Sequence, residues 1–442
     1  MANIVIAMYR ISSDPLVENS MPPYYEGLIE GLKKEGNNIL CIYHDKNGAT
    51  FENQEITSEL LEKITTFNPQ LFILFNYDFY NIVEYFTCPV LIWDVDSPNR
   101  YANSVAITEN PSRYKFVTIQ EEGKKLIIER FPAVQENQIR YIKPFTELKN
   151  KNDVEQRNLI GFCGSHWLWS GCTPIFDFMK TQPSEKERLQ ALHVLKTYKE
   201  HPFGDTLDIY ESECINCDKK LGNAGLMLAG RLSGIKRAEY LTELVDLGLE
   251  IRGFGWNHPS LNFFPEIALC YNRETTVTLN QNSAFYNSIK IGFNINHIQA
   301  VSGYSWRVCD ILASNSCLVS QYTPGLKKEF SEIDIQLYNN KAEARRTCEK
   351  LMNNEAYRER IVDEANQIIE EKFRFKNILP SIEEISGVML KDVNNEKGDL
   401  EYINITNVVG KVHNKYVPKF HDKVERAICR MLLDNLKKKG MM

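Results

Sequence analysis

Residues 285–320 read FYNSIKIGFNINHIQAVSGYSWRVCDILASNSCLVS. The segment 289–295 is apolar and rich in Ile and Phe, which predicts a buried strand. A polar loop over 296–303 leads into a helix that carries Trp306 and the apolar positions after it, and the segment 317–320 is the next strand. Strand, loop, helix and strand form the repeating unit of a parallel α/β sheet, whose ligands bind at the carboxyl ends of the strands.

The start of this helix has the composition of a phosphate site. Ser302 or Ser305 is the expected N-cap, and Asn315 the expected end. Unpaired N–H groups and a partial positive charge would stabilise a phosphate at 302–305. Arg307 adds a forked cation, and Asp310, on the same helical face, can accept hydrogen bonds from two ribose hydroxyls. Phosphate with ribose indicates a nucleotide, and the alternative interpretation is an ordinary surface pair on an amphipathic helix.

The run from Gly303 to Ser320, GYSWRVCDILASNSCLVS, resembles the signature of group 1 glycosyltransferases of the GT-B fold, in particular the CgeB-like branch. In that family an acidic residue at the position of Asp310 binds the ribose of a nucleotide sugar. Asp310 replaces the usual Glu, and Asn315 stands where Gly is usual. Ser302 takes the place of the first Glu of the E-x7-E pair of many retaining members, which leaves the stereochemical outcome open.

Length and composition bound the class of protein. The chain has 442 residues, enough for two α/β domains, and 43% of them are hydrophobic, as in soluble globular proteins. The first residues read as a strand rather than a signal peptide, and no segment has the roughly 20 apolar residues of a membrane span. A cytoplasmic location is therefore expected. The net charge of −6 argues against binding of nucleic acid.

Strands and helices alternate along residues 1–150, which predicts a first Rossmann-like domain with a doubly wound parallel sheet. Asp94 and Asp96 follow its fourth strand, and the family resemblance places a similar acidic segment at the interdomain cleft. If the enzyme inverts, Asp96 is the first candidate and Asp94 the second for the base that deprotonates the acceptor. The alternative is that both carboxylates cap the following turn.

Residues 157–375 are predicted to form a second Rossmann-like domain that binds the donor, with an insertion at 181–222. The spacing of Arg231 and Lys236 resembles a diphosphate-binding pair of group 1 enzymes, whereas the CgeB-like pattern favours Arg237 followed by the glycine-rich segment ending at Trp256. Both alignments stay open. The predicted donor-binding residues are Arg231, Lys236, Gly255, Trp256, His258, Lys290, Ser302, Gly303, Tyr304, Arg307 and Asp310.

Residues 376–442 are predicted to contain a crossover helix and a basic amphipathic tail. The segment 411–442 has nine Lys or Arg against three Asp or Glu. Such a helix can lie on an anionic membrane surface, where each basic residue contributes about 1 kcal/mol, or dock on the protein itself.

Together these patterns predict a glycosyltransferase that moves a sugar from a nucleotide-activated donor to a glycan or lipid-linked acceptor of a bacterial surface polysaccharide, such as lipopolysaccharide or capsule. No cofactor and no metal are expected, because Arg and Lys side chains can neutralise the leaving diphosphate. One alternative is a transferase of a CMP-linked acidic sugar, for which the His258-Pro259 pair is suggestive. The other is a catalytically inactive GT-B domain that acts as a binding or assembly module.

Overall fold

A computed structural model gives the architecture of the chain. It describes residues 2–9, 21–44, 56–95, 98, 101, 105–151, 153–166, 179–180, 182–189, 192, 224–253, 255–256, 264–274, 276–297, 300–391, 397–405, 427 and 431. At 9, 158 and 224–232 it describes the backbone alone.

The described strands form two parallel sheets. The strands are β1 (Asn3–Tyr9), β2 (Asn38–His44), β3 (Leu71–Phe75), β4 (Val90–Asp94), β5 (Tyr114–Thr118), β6 (Ile139–Tyr141), β7 (Arg157–Cys163), β8 (Leu249–Arg252), β9 (Ile289–Asn294), β10 (Cys317–Gln321), β11 (Gln336–Tyr338) and β12 (Leu400–Asn404). The first sheet has the order β12-β2-β1-β3-β4-β5-β6, and the second has the order β11-β10-β9-β7-β8.

Helices connect and cover these strands. They are α1 (Pro23–Lys34), α2 (Ser58–Phe67), α3 (Tyr80–Val83), α4 (Val105–Glu109), α5 (Gly123–Arg130), α6 (Ala224–Thr242), α7 (Pro265–Leu269), α8 (Leu279–Asn287), α9 (Trp306–Leu312), α10 (Pro324–Glu329), α11 (Lys341–Asn353), α12 (Glu355–Lys372) and α13 (Phe375–Ser386). Thr278 and Gln281 form a capping box at the start of α8, which satisfies N–H groups that have no partner inside the helix.

Both faces of the first sheet are buried, as expected when helices cover a parallel sheet on two sides. Successive residues of β3 alternate between two apolar clusters, with Phe72 in one cluster and Ile73 in the other. Helix α13 belongs to the second cluster, although it follows the second sheet in the sequence. Gly31 of α1 allows its close approach, since an added Cβ would lie 2.3 Å from the ring of Phe375.

The C-terminal part of the described chain also returns to the first sheet. Strand β12 pairs in parallel with β2, with Leu400 opposite Ile39. The side chain of Asn37 holds the segment that precedes β12, because its amide donates a hydrogen bond to the carbonyl oxygen of Leu390. No strand is predicted from the sequence in this part of the tail, so β12 is a finding of the tertiary structure.

The two sheets are joined by direct contacts between their domains. Tyr24 of α1 stacks on Trp306 of α9, with ring centroids 4.6 Å apart. Glu26 accepts a hydrogen bond from the backbone N of Leu279 at 3.0 Å, so a carboxylate of one domain caps a helix of the other. Arg374 donates to carbonyl oxygens of the linker between the domains. The carboxyl ends of strands from both sheets therefore border a common interface.

The predicted α/β architecture with two doubly wound parallel sheets is confirmed. The ends of the decisive helix differ from the prediction. Helix α9 starts at Trp306 and ends at Leu312, three residues before Asn315. Ser305 occupies the N-cap position, but its hydroxyl makes no capping hydrogen bond and instead lies 3.4 Å from Asn294 Oδ1.

Candidate active site

Two arginines meet around one phenylalanine at the carboxyl end of β7. The guanidinium carbons of Arg237 and Arg307 lie 5.9 and 5.4 Å from the centroid of the Phe162 ring. Arg237 comes from α6 and donates to the carbonyl oxygen of Ser165, just after β7. Arg307 comes from the first turn of α9 and donates to Asn294 Oδ1, at the end of β9, over 3.0 Å. The paired strands β7 and β9 thus bring together cations that are far apart in the sequence.

The electrostatics of this cluster favour an anion. Burial and the nearby charge of Arg307 lower the pKa of Arg237 to about 9. Burial and the charge of Arg237 lower the pKa of Lys236 well below its usual range. Arg237 is 4% exposed, and its buried Nε has no hydrogen-bond acceptor in the part of the chain that the structure describes. Among the described residues neither guanidinium forms an ion pair with a carboxylate, so a bound anion would supply the missing negative charge.

Glycines and a tryptophan shape the strand ends beneath the arginines. A Cβ on Gly164 would lie 3.0 Å from Arg307 Nη2, and a Cβ on Gly253 would lie 2.5 Å from the carbonyl oxygen of Gly164. Gly253 and Gly255 have φ values of 121° and 86°, which favour glycine. The indole of Trp256 donates to the same Gly164 oxygen at 2.6 Å. Trp256 therefore holds Gly164 in the segment after β7, where the carbonyl oxygen of Ser165 accepts a hydrogen bond from Arg237, and Trp256 itself is 1% exposed.

Asp310 lies deeper than the sequence suggests. It is 3% exposed, and its two carboxylate oxygens accept hydrogen bonds from Thr146 Oγ1 at 2.6 Å and from Asn282 Nδ2 at 3.2 Å. Burial raises its pKa to about 6, against the lowering effect of these bonds and of Arg307. The carboxylate thus joins the interdomain linker to the second domain. The prediction that it also accepts ribose hydroxyls stays a prediction.

Residues 236–384, which include Lys236, Arg237, Arg307 and Asp310, match the model of the glycosyl transferase-like family. The predicted resemblance is confirmed over this segment. Residues 236–384 are named the transferase-like segment. No curated protein sequence matches the chain.

Several solved structures are similar to the chain. HepE of Anabaena, solved with UDP and glucose, is 11% identical with a TM-score of 0.47, over 88% of this chain and 100% of that one. The T4 phage BGT, solved with UDP and Mn²⁺, is 10% identical with a TM-score of 0.47, over 87% and 99%. WaaG, a glycosyltransferase of lipopolysaccharide biosynthesis, is 7% identical with a TM-score of 0.45, over 87% and 100%. All three TM-scores lie below 0.5.

The loop before α9 in the transferase-like segment packs against the first domain. The hydroxyl of Ser302 donates to the carboxylate of Glu122, and the backbone N of Val301 donates to Gln120 Oε1 at 3.2 Å. Gly303 permits this approach, because an added Cβ would lie 2.9 Å from the carbonyl oxygen of Ile119. The predicted phosphate position at 302–305 therefore faces a carboxylate of the first domain, which disfavours an anion there. The buried arginine pair faces no such carboxylate among the described residues.

The two candidate bases of the first domain differ in what the structure shows. Asp94 ends β4, is 6% exposed and accepts a hydrogen bond from the Tyr101 hydroxyl at 2.9 Å. The two predicted roles of Asp94, base and turn cap, both stay predictions. Asp96 lies outside the described residues, and its role stays a prediction.

Two predicted donor ligands have surroundings that do not favour that role. Lys290 is the second residue of β9, so about 13 Å of strand separates it from the carboxyl end at Asn294. Tyr304 is 1% exposed and packs edge-on against Phe330 with ring centroids 5.9 Å apart, which makes it part of the core. The side chain of Arg231 and all of His258 lie outside the described residues.

The residues that complete this site were not predicted from the sequence. Asn294 ends an apolar strand, and its buried position could have been noticed because asparagine is rare there. Gln120 and Glu122 follow β5 of the first domain in the run Gln-Glu-Glu-Gly, which gives no local signal of a partner 180 residues away.

The described part of the chain contains neither a membrane-spanning helix nor a cluster of metal ligands. None of its helices combines the length and apolar character needed to cross a membrane. In the same residues, no three side chains of His, Cys, Asp or Glu come together as a metal site.

Proposed function

We propose that this protein is a glycosyltransferase that uses a nucleotide-activated sugar, with the diphosphate of the donor bound between Arg237 and Arg307. The observation that carries the proposal is the buried pair of guanidinium groups around Phe162, which has no carboxylate partner among the described residues. Its position inside the transferase-like segment supports the same interpretation.

In the proposed reaction the bond between the anomeric carbon and the diphosphate oxygen breaks, and a bond from an acceptor oxygen to that carbon forms. Negative charge builds up on the departing diphosphate, and the two arginines would stabilise it most strongly at this stage. Preorganised cations in a site with little water lower the energy of such a transition state. Asp96 remains the proposed base for an inverting reaction, because it follows the carboxyl end of β4.

Asp310 is the proposed ribose ligand, on the strength of the family resemblance. Its carboxylate would have to exchange the hydrogen bonds from Thr146 and Asn282 for bonds from ribose hydroxyls. Because Thr146 belongs to the interdomain linker, this exchange would couple donor binding to the relative position of the two domains.

The class of acceptor is proposed from the sequence alone. A glycan or lipid-linked acceptor of a bacterial surface polysaccharide is proposed from the CgeB-like resemblance, and the basic segment 411–442 would bring the enzyme to an anionic membrane surface. Metal-independent catalysis is likewise proposed, since the arginines can neutralise the diphosphate.

A thermal-shift screen against UDP, GDP, ADP, dTDP and CMP tests the donor site. A nucleotide at 100 times its dissociation constant should stabilise the native protein by about 2.7 kcal/mol. Arg237→Gln and Arg307→Gln should each abolish the shift. Arg345→Gln is the matched control, because Arg345 pairs with Asp246 on the surface and should not affect the shift.

This screen, combined with an assay of nucleotide release from nucleotide sugars, separates the rival functions. A response to CMP alone would favour transfer of a CMP-linked acidic sugar. Nucleotide binding without release of nucleotide from any nucleotide sugar would indicate an inactive binding module. If no nucleotide stabilises the wild-type protein, the proposed function is wrong.

A further inference from the structure

A chain of buried polar side chains leads away from Arg307. Arg307 Nη1 donates to Asn294 Oδ1 at 3.0 Å, and Asn294 Nδ2 donates to Asn296 Oδ1 at 3.0 Å. Asn294 Nδ2 also donates to Ser320 Oγ at 2.9 Å, and Ser320 in turn donates to the carbonyl oxygen of Gln321. Asn294 and Asn296 are 0% and 2% exposed.

The chemistry of arginine fixes the orientation of every amide in this chain. A guanidinium has donors and no acceptor, so the atom of Asn294 that faces Arg307 must be the oxygen. The Asn294 nitrogen then faces Asn296, and the atom of Asn296 that receives its hydrogen bond must again be an oxygen. Rotating the Asn296 amide by 180° would place two donors against each other. The remaining polar group of Asn296 is therefore an N–H donor.

This donor has no acceptor among the described residues. Asn296 Nδ2 is buried and makes no hydrogen bond there. A buried polar group without a partner destabilises the native protein, and such groups are rare unless a ligand or a bound water completes them. Asn296 comes two residues after the end of β9, at the edge of the second sheet that also carries Arg307, Asn294 and the strand end near Phe162.

We propose that Asn296 Nδ2 is a binding group for the nucleotide-sugar donor and donates a hydrogen bond to an oxygen of that ligand. The inference rests on the proposed function, and it adds an uncharged donor at the same edge of the second sheet as Arg307. The oxygen belongs to the diphosphate or to a hydroxyl of the sugar attached to it, since either acceptor satisfies the amide. Asn294 is a positioning residue, because it holds the Asn296 amide in the donating orientation and Arg307 in place.

Asn296→Asp tests the inference with little change in shape. The carboxylate can still accept the hydrogen bond from Asn294, but it replaces the N–H donor with an acceptor. Asn296→Ser is a second, uncharged variant that also lacks the amide donor. Asn353→Asp is the matched charge control, because Asn353 is exposed at the C-terminal end of α11, and helices of a parallel α/β unit end at the opposite edge of the sheet.

The probe is whichever of UDP, ADP, GDP and dTDP stabilises the wild-type protein, together with its glucose conjugate. Isothermal titration at low and high salt gives the dissociation constants. Loss of a hydrogen bond to a charged group should weaken binding by about 10- to 100-fold. The loss should persist at about 0.5 M salt, where the long-range repulsion from an added carboxylate is screened.

The outcomes separate the two sources of the oxygen. Weaker binding of the free nucleoside diphosphate by both Asn296 variants assigns the oxygen to the diphosphate. A loss confined to the glucose conjugate assigns it to the sugar. If both variants bind both ligands as tightly as the wild type and Asn353→Asp do, Asn296 serves only to hold Asn294, and the inference is wrong while the donor site stands. If no nucleotide binds the wild type, the inference falls with the proposed function.

Discussion

Replacing Asp310 by Asn should make the protein more stable at pH 8 and should change how its stability depends on pH. Burial raises the pKa of Asp310 from 3.8 to about 6 in the folded protein. The native state therefore holds this proton more tightly than the unfolded state. The stabilising contribution of protonation is complete below about pH 4 and is lost as the pH rises through about 6. A shift of roughly 2 pKa units corresponds to about 3 kcal/mol.

The surroundings of Asp310 can accept an amide. The oxygen of the introduced amide would keep the hydrogen bond from Thr146. Asn282 Oδ1 is buried and has no partner within the described ranges, so a 180° rotation of the Asn282 amide would let it accept from the new NH₂ group. Large strain is not expected from Asp310→Asn.

Urea unfolding of wild type and variant at pH 4.5 and pH 8 measures the effect. The free-energy difference between variant and wild type should change by about 2 kcal/mol between these pH values, in favour of the variant at pH 8. Asp246→Asn is the control of opposite sign, because hydrogen bonds from Arg345 lower the pKa of that exposed carboxyl. Parallel pH profiles for the wild type and Asp310→Asn would refute the argument.

Three further predictions follow from particular contacts. Gly303→Ala should lower the melting temperature and loosen the domain interface, because its Cβ would meet the carbonyl oxygen of Ile119 at 2.9 Å; small-angle scattering of a variant as compact as the wild type would contradict this. Tyr101→Phe should cost about 1 kcal/mol by removing the hydrogen bond to Asp94 without changing nucleotide affinity, and a large loss of affinity would show that Asp94 serves the donor site. Deleting residues 397–442 should expose the edge of the first sheet by removing β12, so the truncated protein should aggregate more readily on heating; light scattering unchanged from the full chain would argue against it.

Local sequence patterns were sufficient to predict most of the fold. The apolar run 289–295 predicts a strand, and the structure has β9 at Ile289–Asn294. The alternation of strands with helices predicts the parallel sheets that are observed. Burial on both faces makes such strands continuously apolar, so the sequence carries their signal locally. Strand β12 has no such signal, because Leu400–Asn404 contains two exposed residues and depends on β2 for its hydrogen bonds.

The candidate site was predicted in part. Arg307 and Asp310 were identified from their spacing on one helix, and the transferase-like segment contains both. Their surroundings were not predictable, because the partners of Arg307 and Asp310 come from a strand end, a linker and a helix that precede them in the chain. The assignment of phosphate to 302–305 stays a prediction, and the carboxylate of Glu122, which reaches that loop from the other domain, argues against it.

The sequence by itself determined the class of fold, the decisive helix and the family resemblance, because hydrophobic periodicity and a contiguous motif act over a few residues. The tertiary structure decided which charges are buried and what faces them. Lys236 and Lys290 were both predicted as donor ligands, but one lies in a buried cationic cluster and the other near the start of a strand. Burial and the approach of distant groups set the free energy of a charge, and neither can be read from its neighbours along the chain.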